Sequence, residues 1–192
     1  MDYSEQIKDY LELEKQTLDA LSPAEINSAL NEILATYERQ GTIYIFGNGG
    51  SASTASHFAN DFNKGISEYT ENKFRFVCLN DNIATVLAIA NDISFEEIFR
   101  FQLRNKLRPE DLVIGISGSG NSKNVLHAVS YAKECGLRTI GITGFGGGVL
   151  KGLADLSLHV PIHNMQITED VHLIINHLMM SVIFRIWNIK AH

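Results

Sequence analysis

A histidine and an aspartate stand four residues apart in the segment GNGGSASTASHFAND, which covers residues 47–61. If this segment ends in a helix, His57 and Asp61 share one face, and the pair could ligate a metal ion or transfer protons. The glycines and small hydroxyl residues before them allow a loop to approach and bind an anion. The segment therefore combines a candidate anion loop with a candidate metal or acid–base pair.

The first loop differs from two common phosphate-binding motifs. Its GNGGS spacing lacks the third glycine of the G-x-G-x-x-G dinucleotide fingerprint, and no Gly-Lys-Ser/Thr follows it as in nucleotide hydrolases. A tight strand-to-helix turn explains the same glycines equally well. The candidate substrate-binding residues here are Asn48, Gly49, Gly50 and Ser51.

A second loop of small residues, SGSGNSKN at 117–124, indicates phosphate binding more strongly. Ser117, Ser119 and Ser122 supply hydroxyl groups around flexible glycines, among them Gly118, at the start of another predicted helix. Three hydroxyls with backbone N–H groups suit a phosphate monoester without a metal or a lysine. A third loop, TGFGGGVLKGLAD at 143–155, is a candidate for the rim of the site, but no side chain in it suits chemistry and a turn is the preferred interpretation.

The elements around these loops predict where the loops lie. Strands are predicted at 42–46, 74–79, 111–117, 138–143 and 156–162, and helices at 51–64, 83–107 with a break near Asp92, 122–135, 149–154 and 168–189. Strands that alternate with helices favour a doubly wound α/β fold with a five-stranded parallel sheet flanked by helices. We expect one domain over 1–192, with an N-terminal helical arm at 1–40 and an α/β core at 41–192. Ligands bind such sheets beyond the carboxyl ends of the strands, where the first two loops lie.

Composition limits the function classes. The chain has 192 residues, of which 45% are hydrophobic and 20% are charged, as in a globular domain. A net charge of -6 without a run of Lys or Arg argues against nucleic acid as a partner. The apolar run near the C-terminus contains polar residues, which predicts a buried helix and no membrane partner. The N-terminus lacks a signal pattern, so we expect a cytoplasmic protein. Cys78 and Cys135 are expected to be buried free thiols.

At the three loops together, the chain resembles the sugar isomerase (SIS) domain family and, within it, the phosphoheptose isomerases. The segments that carry the resemblance are GNGGSAS…HFA, AIANDISFEEIF, GISGSGNSKNVL, GITGFGGG and EDVHLIINHL. The resemblance implies the SIS fold, a homo-oligomer that is typically a tetramer, and a sugar phosphate bound beside a neighbouring subunit. It also implies interconversion of sedoheptulose 7-phosphate and D-glycero-D-manno-heptose 7-phosphate through an enediol. That reaction needs a base, an acid and stabilisation of an oxyanion.

The resemblance also implies roles for individual residues. It implies one metal site per subunit with His57, Asp61, Glu169 and His177 as ligands, and this mixed nitrogen and oxygen donor set suits zinc, or nickel, manganese or iron. Asp61 stands where the family has a glutamate, so its carboxylate lies about 1.5 Å further back. Glu169 replaces a family glutamine and is also expected to contact substrate. His177 is our first choice for proton transfer and Asp61 the second, while Asp92 would orient sugar hydroxyls or simply end a helix.

One geometric difficulty concerns the last helix. Eight residues of helix rise about 12 Å, so Glu169 and His177 cannot easily reach one ion from a single straight helix. Either the helix begins after Glu169 or one group acts from a neighbouring subunit, and we favour the second arrangement.

Two other function classes stay open. One is a non-catalytic SIS protein that binds a sugar phosphate or associates with a replication initiator; His177 argues against it, because such relatives lack the catalytic histidine. The other is an isomerase of a different ketose phosphate, because Gly65, Gln166 and Ile167 depart from the family pattern.

Overall fold

The central sheet of this computed structural model is parallel and has the strand order β2-β1-β3-β4-β5. The structure describes residues 1–190, so the last two residues of the predicted 1–192 domain lie outside it. The sheet confirms the predicted doubly wound α/β fold. The strands are β1 (Ile43–Gly47), β2 (Phe76–Cys78), β3 (Leu112–Ser117), β4 (Arg138–Thr143) and β5 (Leu156–His159).

The helices follow the predicted alternation. The arm is formed by α1 (Ser4–Asp19) and α2 (Pro23–Glu38), and the core helices are α3 (Gly50–Asn60), α4 (Ile83–Asp92), α5 (Arg100–Leu103), α6 (Lys123–Glu134), α7 (Gly148–Leu153) and α8 (Met165–Ile186). A π-helical turn (Asp61–Ile66) and a 3-10 turn (Ser67–Tyr69) continue α3, and a second 3-10 turn (Phe95–Glu97) follows α4. The predicted break near Asp92 is present.

Several predicted boundaries were wrong. The strand expected at 74–79 begins only at Phe76, and the backbone N–H of Phe74 instead donates to Ser67 Oγ at 2.8 Å. The strand expected to reach 162 ends at His159, two residues before Pro161, which has no N–H to donate. Cys135 is exposed rather than buried, whereas Cys78 is buried as expected.

Apolar layers cover both faces of the sheet. Along β1, Ile43 and Ile45 face the layer formed by α2, α3 and α8, whereas Phe46 faces the layer formed by α4 to α7. This alternation is that of a strand buried on both faces. Helix α8 has the length and hydropathy of a membrane span, but it packs against the arm and α3 with its inner face buried. The predicted burial therefore holds for one face of the helix, while residues on its other face are exposed.

The strand order creates a switch point between β1 and β3. From β1 the chain crosses to β2 on one side, and it later returns to β3 on the other side. The loops that follow β1 and β3 consequently leave a crevice at the carboxyl edge of the sheet. Two hydrogen bonds between side-chain amides join the two loops. Asn48 Nδ2 donates to Asn124 Oδ1 at 2.9 Å, and Asn124 Nδ2 donates to Asn48 Oδ1 at 3.0 Å.

Candidate active site

The crevice between the two loops is a cavity of about 250 Å³ that opens at the switch point. Small residues dominate its walls, so backbone N–H groups and hydroxyls face the space. One acidic side chain, that of Glu169, reaches it from α8. The lining includes nine residues predicted from the sequence: Asn48, Gly49, Gly50, Ser51, Ser117, Gly118, Ser119, Ser122 and Glu169. Two residues that were not predicted, Ile116 and Met165, complete it.

The loop after β3 is arranged as an anion-binding turn. Ser117 Oγ donates to Ser122 Oγ at 3.0 Å, and Ser119 Oγ accepts a hydrogen bond from the Asn121 backbone N–H at 3.2 Å. Ser122 directly precedes α6, and the first turn of a helix leaves its N–H groups without acceptors inside the helix. The N–H of Val125 donates to Asn124 Oδ1 at 2.9 Å, so those of Lys123 and Asn124 are the candidate donors to an anion. Hydroxyls and a positive helix end therefore converge where a phosphate group would bind.

The third loop, for which a turn was the preferred interpretation, is joined to the second loop by backbone hydrogen bonds. The backbone N–H of Gly144 donates to Gly118 O at 2.8 Å, and that of Leu150 donates to Gly120 O at 2.9 Å. Gly120 has a positive φ of 68°, and a Cβ on it would lie 1.9 Å from the carbonyl oxygen of Gly147. Glycine is required at this contact. The sequence signal for this support was the glycine run 146–148.

His57, Asp61 and His177 form a compact cluster at the far end of α3. The two histidine Nε2 atoms lie 3.1 Å apart, and Asp61 Oδ2 lies 3.2 Å from His57 Nε2 and 3.6 Å from His177 Nε2. Two nitrogens and one carboxylate oxygen make a donor set that suits zinc. A tetrahedral ion with bonds of about 2.0–2.1 Å would separate its ligand atoms by about 3.3–3.4 Å, so these three residues fit such an ion.

Helices α3 and α8 bring the cluster together by packing side by side in the same direction. Near their N-termini the Glu169 carboxylate lies against Gly50, where a Cβ would approach Glu169 Oε2 to 2.2 Å. About two turns further on, His177 meets His57. The two helices therefore carry the cavity wall at one end and the cluster at the other.

The start of α8 tests the arrangement in which the last helix begins after Glu169. Asn164 caps α8 by accepting a hydrogen bond from the Ile167 N–H at 3.1 Å, and the helix runs without interruption from Met165. The alternative in which the helix begins after Glu169 is therefore wrong. Glu169 lies outside the cluster of possible metal ligands within the described chain. A ligand role for Glu169 would require a neighbouring subunit.

Asp61 occupies an unusual backbone position. It begins the π-helical turn that continues α3, and such turns are frequent at functional sites. Its side chain is largely buried, whereas both histidines of the cluster are exposed. Asn176 Nδ2 donates to Asp61 Oδ2 at 2.7 Å. Sequence reasoning assigned Asn176 no role, although a polar residue inside an apolar helix next to His177 was the available signal.

Two further residues lie outside the cavity. His172 is buried, with its Nε2 3.1 Å from Thr143 O, and burial lowers its pKa to about 4 despite the opposing effect of that carbonyl. It is therefore a neutral, structural histidine. Asp92 is exposed at the end of α4 and accepts a hydrogen bond from Asn91 Nδ2 at 2.8 Å. Asp92 is the last residue of α4, as expected if it ends a helix. Its role in binding the substrate stays a prediction.

Comparisons with known proteins agree with this arrangement. A family model described as "SIS domain" matches residues 2–144. The phosphoheptose isomerase of Helicobacter pylori strain P12 is 37% identical over 171 residues, which cover 89% of this chain and 88% of the relative. A probable phosphoheptose isomerase of Thermoplasma acidophilum is 35% identical over 92% of this chain and 96% of the relative. The structure of a phosphoheptose isomerase from Francisella tularensis superposes with a TM-score of 0.87 at 28% identity, covering 95% of this chain and 98% of that one.

Proposed function

The chain belongs to the SIS domain family and, within it, to the phosphoheptose isomerases, and from this premise we propose that it interconverts sedoheptulose 7-phosphate and D-glycero-D-manno-heptose 7-phosphate. The observation that carries the proposal is the parallel packing of α3 and α8. It places a cavity lined by serines and glycines at one end of the helix pair and the cluster of His57, Asp61 and His177 at the other. One part suits binding of a phosphate and the other suits proton transfer.

The phosphate group of the substrate would bind at the loop 117–122. The hydroxyls of Ser119 and Ser122 and the first N–H groups of α6 would donate to its oxygens, which are strong acceptors. The Glu169 carboxylate, on the cavity wall, would accept hydrogen bonds from sugar hydroxyls rather than contact the phosphate, since two negative groups repel each other. Asn48, Gly49, Gly50 and Ser51 would close the other side of the cavity around the sugar.

The reacting end of the sugar would meet the cluster. A base removes a proton from C1 of the ketose while an acid protonates the oxygen on C2, which gives the enediol. The hydroxyl on C1 then loses its proton and C2 gains one, which gives the aldose. We assign the proton transfer at carbon to His177, whose imidazole is exposed. Asp61, our second candidate for an acid–base group, would transfer the protons at the oxygens.

We propose one zinc ion per subunit at His57, Asp61 and His177, with nickel, manganese or iron as ions that the same donor set accepts. A nitrogen bound to a metal has no lone pair for a proton, so His177 would be a ligand of the resting site and would leave the ion to act as the base. When bound, a divalent ion would polarise the oxygens on C1 and C2 as a Lewis acid. Glu169 is proposed as a further ligand only when it comes from a neighbouring subunit, because about 12 Å of helix separates it from His177 within one chain.

The same separation supports a homo-oligomer in which each complete site is shared between two subunits. We propose a tetramer, and we propose that the enzyme acts in the cytoplasm, since its substrate is a metabolic sugar phosphate. Nucleic acid and membrane partners form no part of the proposal. The non-catalytic alternative is disfavoured, because the relatives are named as isomerases and His57, Asp61 and His177 are all present.

Product formation with a panel of substrates tests the proposal. Purified protein with added zinc is incubated with sedoheptulose 7-phosphate and, separately, with hexulose and pentulose phosphates, and the aldose products are measured by chromatography. We expect the highest kcat/KM with the seven-carbon sugar. Conversion of only a shorter ketose phosphate would make the chain an isomerase of a different substrate, and conversion of none would contradict the enzyme proposal.

A further inference from the structure

We propose that Asn176 is a positioning residue that holds the Asp61 carboxylate in place against His57 and His177. This inference rests on the proposed function of that cluster as a metal and acid–base site. Asn176 Nδ2 donates to Asp61 Oδ2 at 2.7 Å, and the same Oδ2 faces the Nε2 atoms of both histidines. The amide therefore acts on the very oxygen that completes the cluster.

The burial of Asn176 makes this hydrogen bond specific. The side chain is 0% exposed, although His177 beside it on the helix is exposed. An ionised carboxylate can only accept hydrogen bonds, so the amide must turn its NH₂ group towards Asp61. Its Oδ1 is then left without a partner among the described residues. A leucine of similar size would avoid that unpaired oxygen, so packing alone gives no reason for an amide here.

The length of the Asp61 side chain explains why the carboxylate needs holding. An aspartate side chain is one methylene group shorter than that of a glutamate, so its carboxylate stays about 1.5 Å nearer the backbone. Asn60 Nδ2, the other amide near Asp61, is 3.4 Å from Oδ1 and acts only weakly. Hydrogen-bonded partners behind metal ligands fix ligand orientation, and their loss typically weakens metal affinity by about 10–100-fold.

The buried face of α8 supplies a matched control. Thr168, eight residues before Asn176, is also 0% exposed and belongs to the same buried face of the helix. Its Oγ1 has no partner among the described residues, so removing the hydroxyl breaks no hydrogen bond of the structure. Thr168→Val therefore changes the polarity of the same helix face without touching Asp61.

Zinc affinity of the metal-free protein tests the inference directly. The wild type, Asn176→Leu and Thr168→Val are titrated with zinc in competition with a chromophoric chelator, and thermal unfolding without metal checks their fold. We expect zinc affinity to fall about 10–100-fold in Asn176→Leu and to stay near the wild-type value in Thr168→Val. In turnover, Asn176→Leu should lower kcat with little change in KM, since the cavity is intact.

A second variant separates positioning from a general structural role. In Asp61→Glu/Asn176→Leu the longer carboxylate reaches the histidines without the amide, so we expect it to recover most of the zinc affinity. This double variant also provides the measurement if Asn176→Leu alone folds poorly. Wild-type affinity in Asn176→Leu, or no recovery in a folded double variant, would overturn the inference. Failure of the wild type to bind zinc would instead contradict the proposed metal site.

Discussion

The Nε2 atoms of His57 and His177 lie 3.1 Å apart, although the residues are 120 positions apart in the chain and belong to different helices. The parallel packing of α3 and α8 creates this contact, and Asp61 Oδ2 lies within 3.6 Å of both nitrogens. The same packing places Glu169 on the cavity wall, two turns from the cluster. The proposed chemistry therefore depends on how these two helices lie against each other.

Removal of the His177 imidazole should abolish turnover while leaving binding intact. We expect His177→Ala to lower kcat by at least about 100-fold, the usual contribution of one acid–base group. Binding of sedoheptulose 7-phosphate, followed by calorimetry, should change little because the loop 117–122 holds the phosphate. His127→Ala, which removes a histidine on α6 that pairs with Glu97, is the control and should retain activity. Wild-type kcat in His177→Ala would exclude it from proton transfer.

A methyl group at Gly120 should disrupt the phosphate loop. Gly120 has a φ of 68°, and a Cβ there would meet the Gly147 carbonyl oxygen at 1.9 Å, so the loop must shift. We expect Gly120→Ala to raise KM more than tenfold. Gly136→Ala is the matched control, since Gly136 has a φ of 79° with open space around its Cβ position. It should cost only backbone strain of about 1–2 kcal/mol, with an unchanged KM. Equal KM values in the two variants would mean that the loop does not bind the substrate.

The free energy of unfolding of the metal-free protein should decrease as the pH is lowered below about 6.5, because of His172. Burial lowers the pKa of His172 to about 4 in the folded state, whereas the unfolded chain has the ordinary value of 6.5. The unfolded state therefore binds more protons between these values, and the free energy of unfolding should fall as pH drops from 6.5 towards 4. The full loss from this residue is about 3 kcal/mol.

Denaturant unfolding at several pH values measures this contribution. We expect His172→Gln to flatten the pH dependence, because the substituted side chain does not titrate. His163→Gln, which removes an exposed histidine, serves as the control for loss of one imidazole. A pH dependence of His172→Gln identical to that of the wild type would assign the effect to other groups.

A shared site predicts complementation between two inactive variants. Ser119→Asp should block phosphate binding through charge repulsion, and His177→Ala should block proton transfer. If each site takes its cavity from one subunit and its cluster from the neighbour, a mixed oligomer contains some sites with both parts intact. Co-expressed and co-purified variants should then regain activity that neither has alone. Mixed oligomers that stay as inactive as their parents would mean that each subunit forms its own complete site.

Much of the fold was predictable because its signals are local. Alternating apolar runs and small-residue loops predicted the five strands and placed the serine and glycine loops at one edge of the sheet. The start of α2 is also set locally, because Ser22 Oγ accepts a hydrogen bond from the Glu25 N–H at 3.3 Å, three residues along the chain. The single-domain division of the chain stays a prediction.

The parts that escaped prediction depend on contacts between distant segments. The π-helical turn at Asp61 has no local sequence signature, and the hydrogen bond from Asn176 joins residues 115 positions apart. The third loop was interpreted as a turn because its contacts with the second loop are backbone hydrogen bonds to Gly118 and Gly120. Backbone hydrogen bonds between distant segments leave no signal in the side chains. Likewise, the cap at Asn164, rather than helix propensity, sets the start of α8 and so the position of Glu169.

Proton exchange with solvent tests the central claim most directly. Zinc-loaded wild-type protein is incubated with sedoheptulose 7-phosphate in deuterium oxide, and the products are followed by NMR. An enediol pathway with His177 and Asp61 as the proton-transfer groups predicts formation of the aldose and incorporation of deuterium from solvent at C1 of the ketose or C2 of the aldose. Binding of the sugar phosphate with neither deuterium incorporation nor aldose formation would contradict the isomerase account.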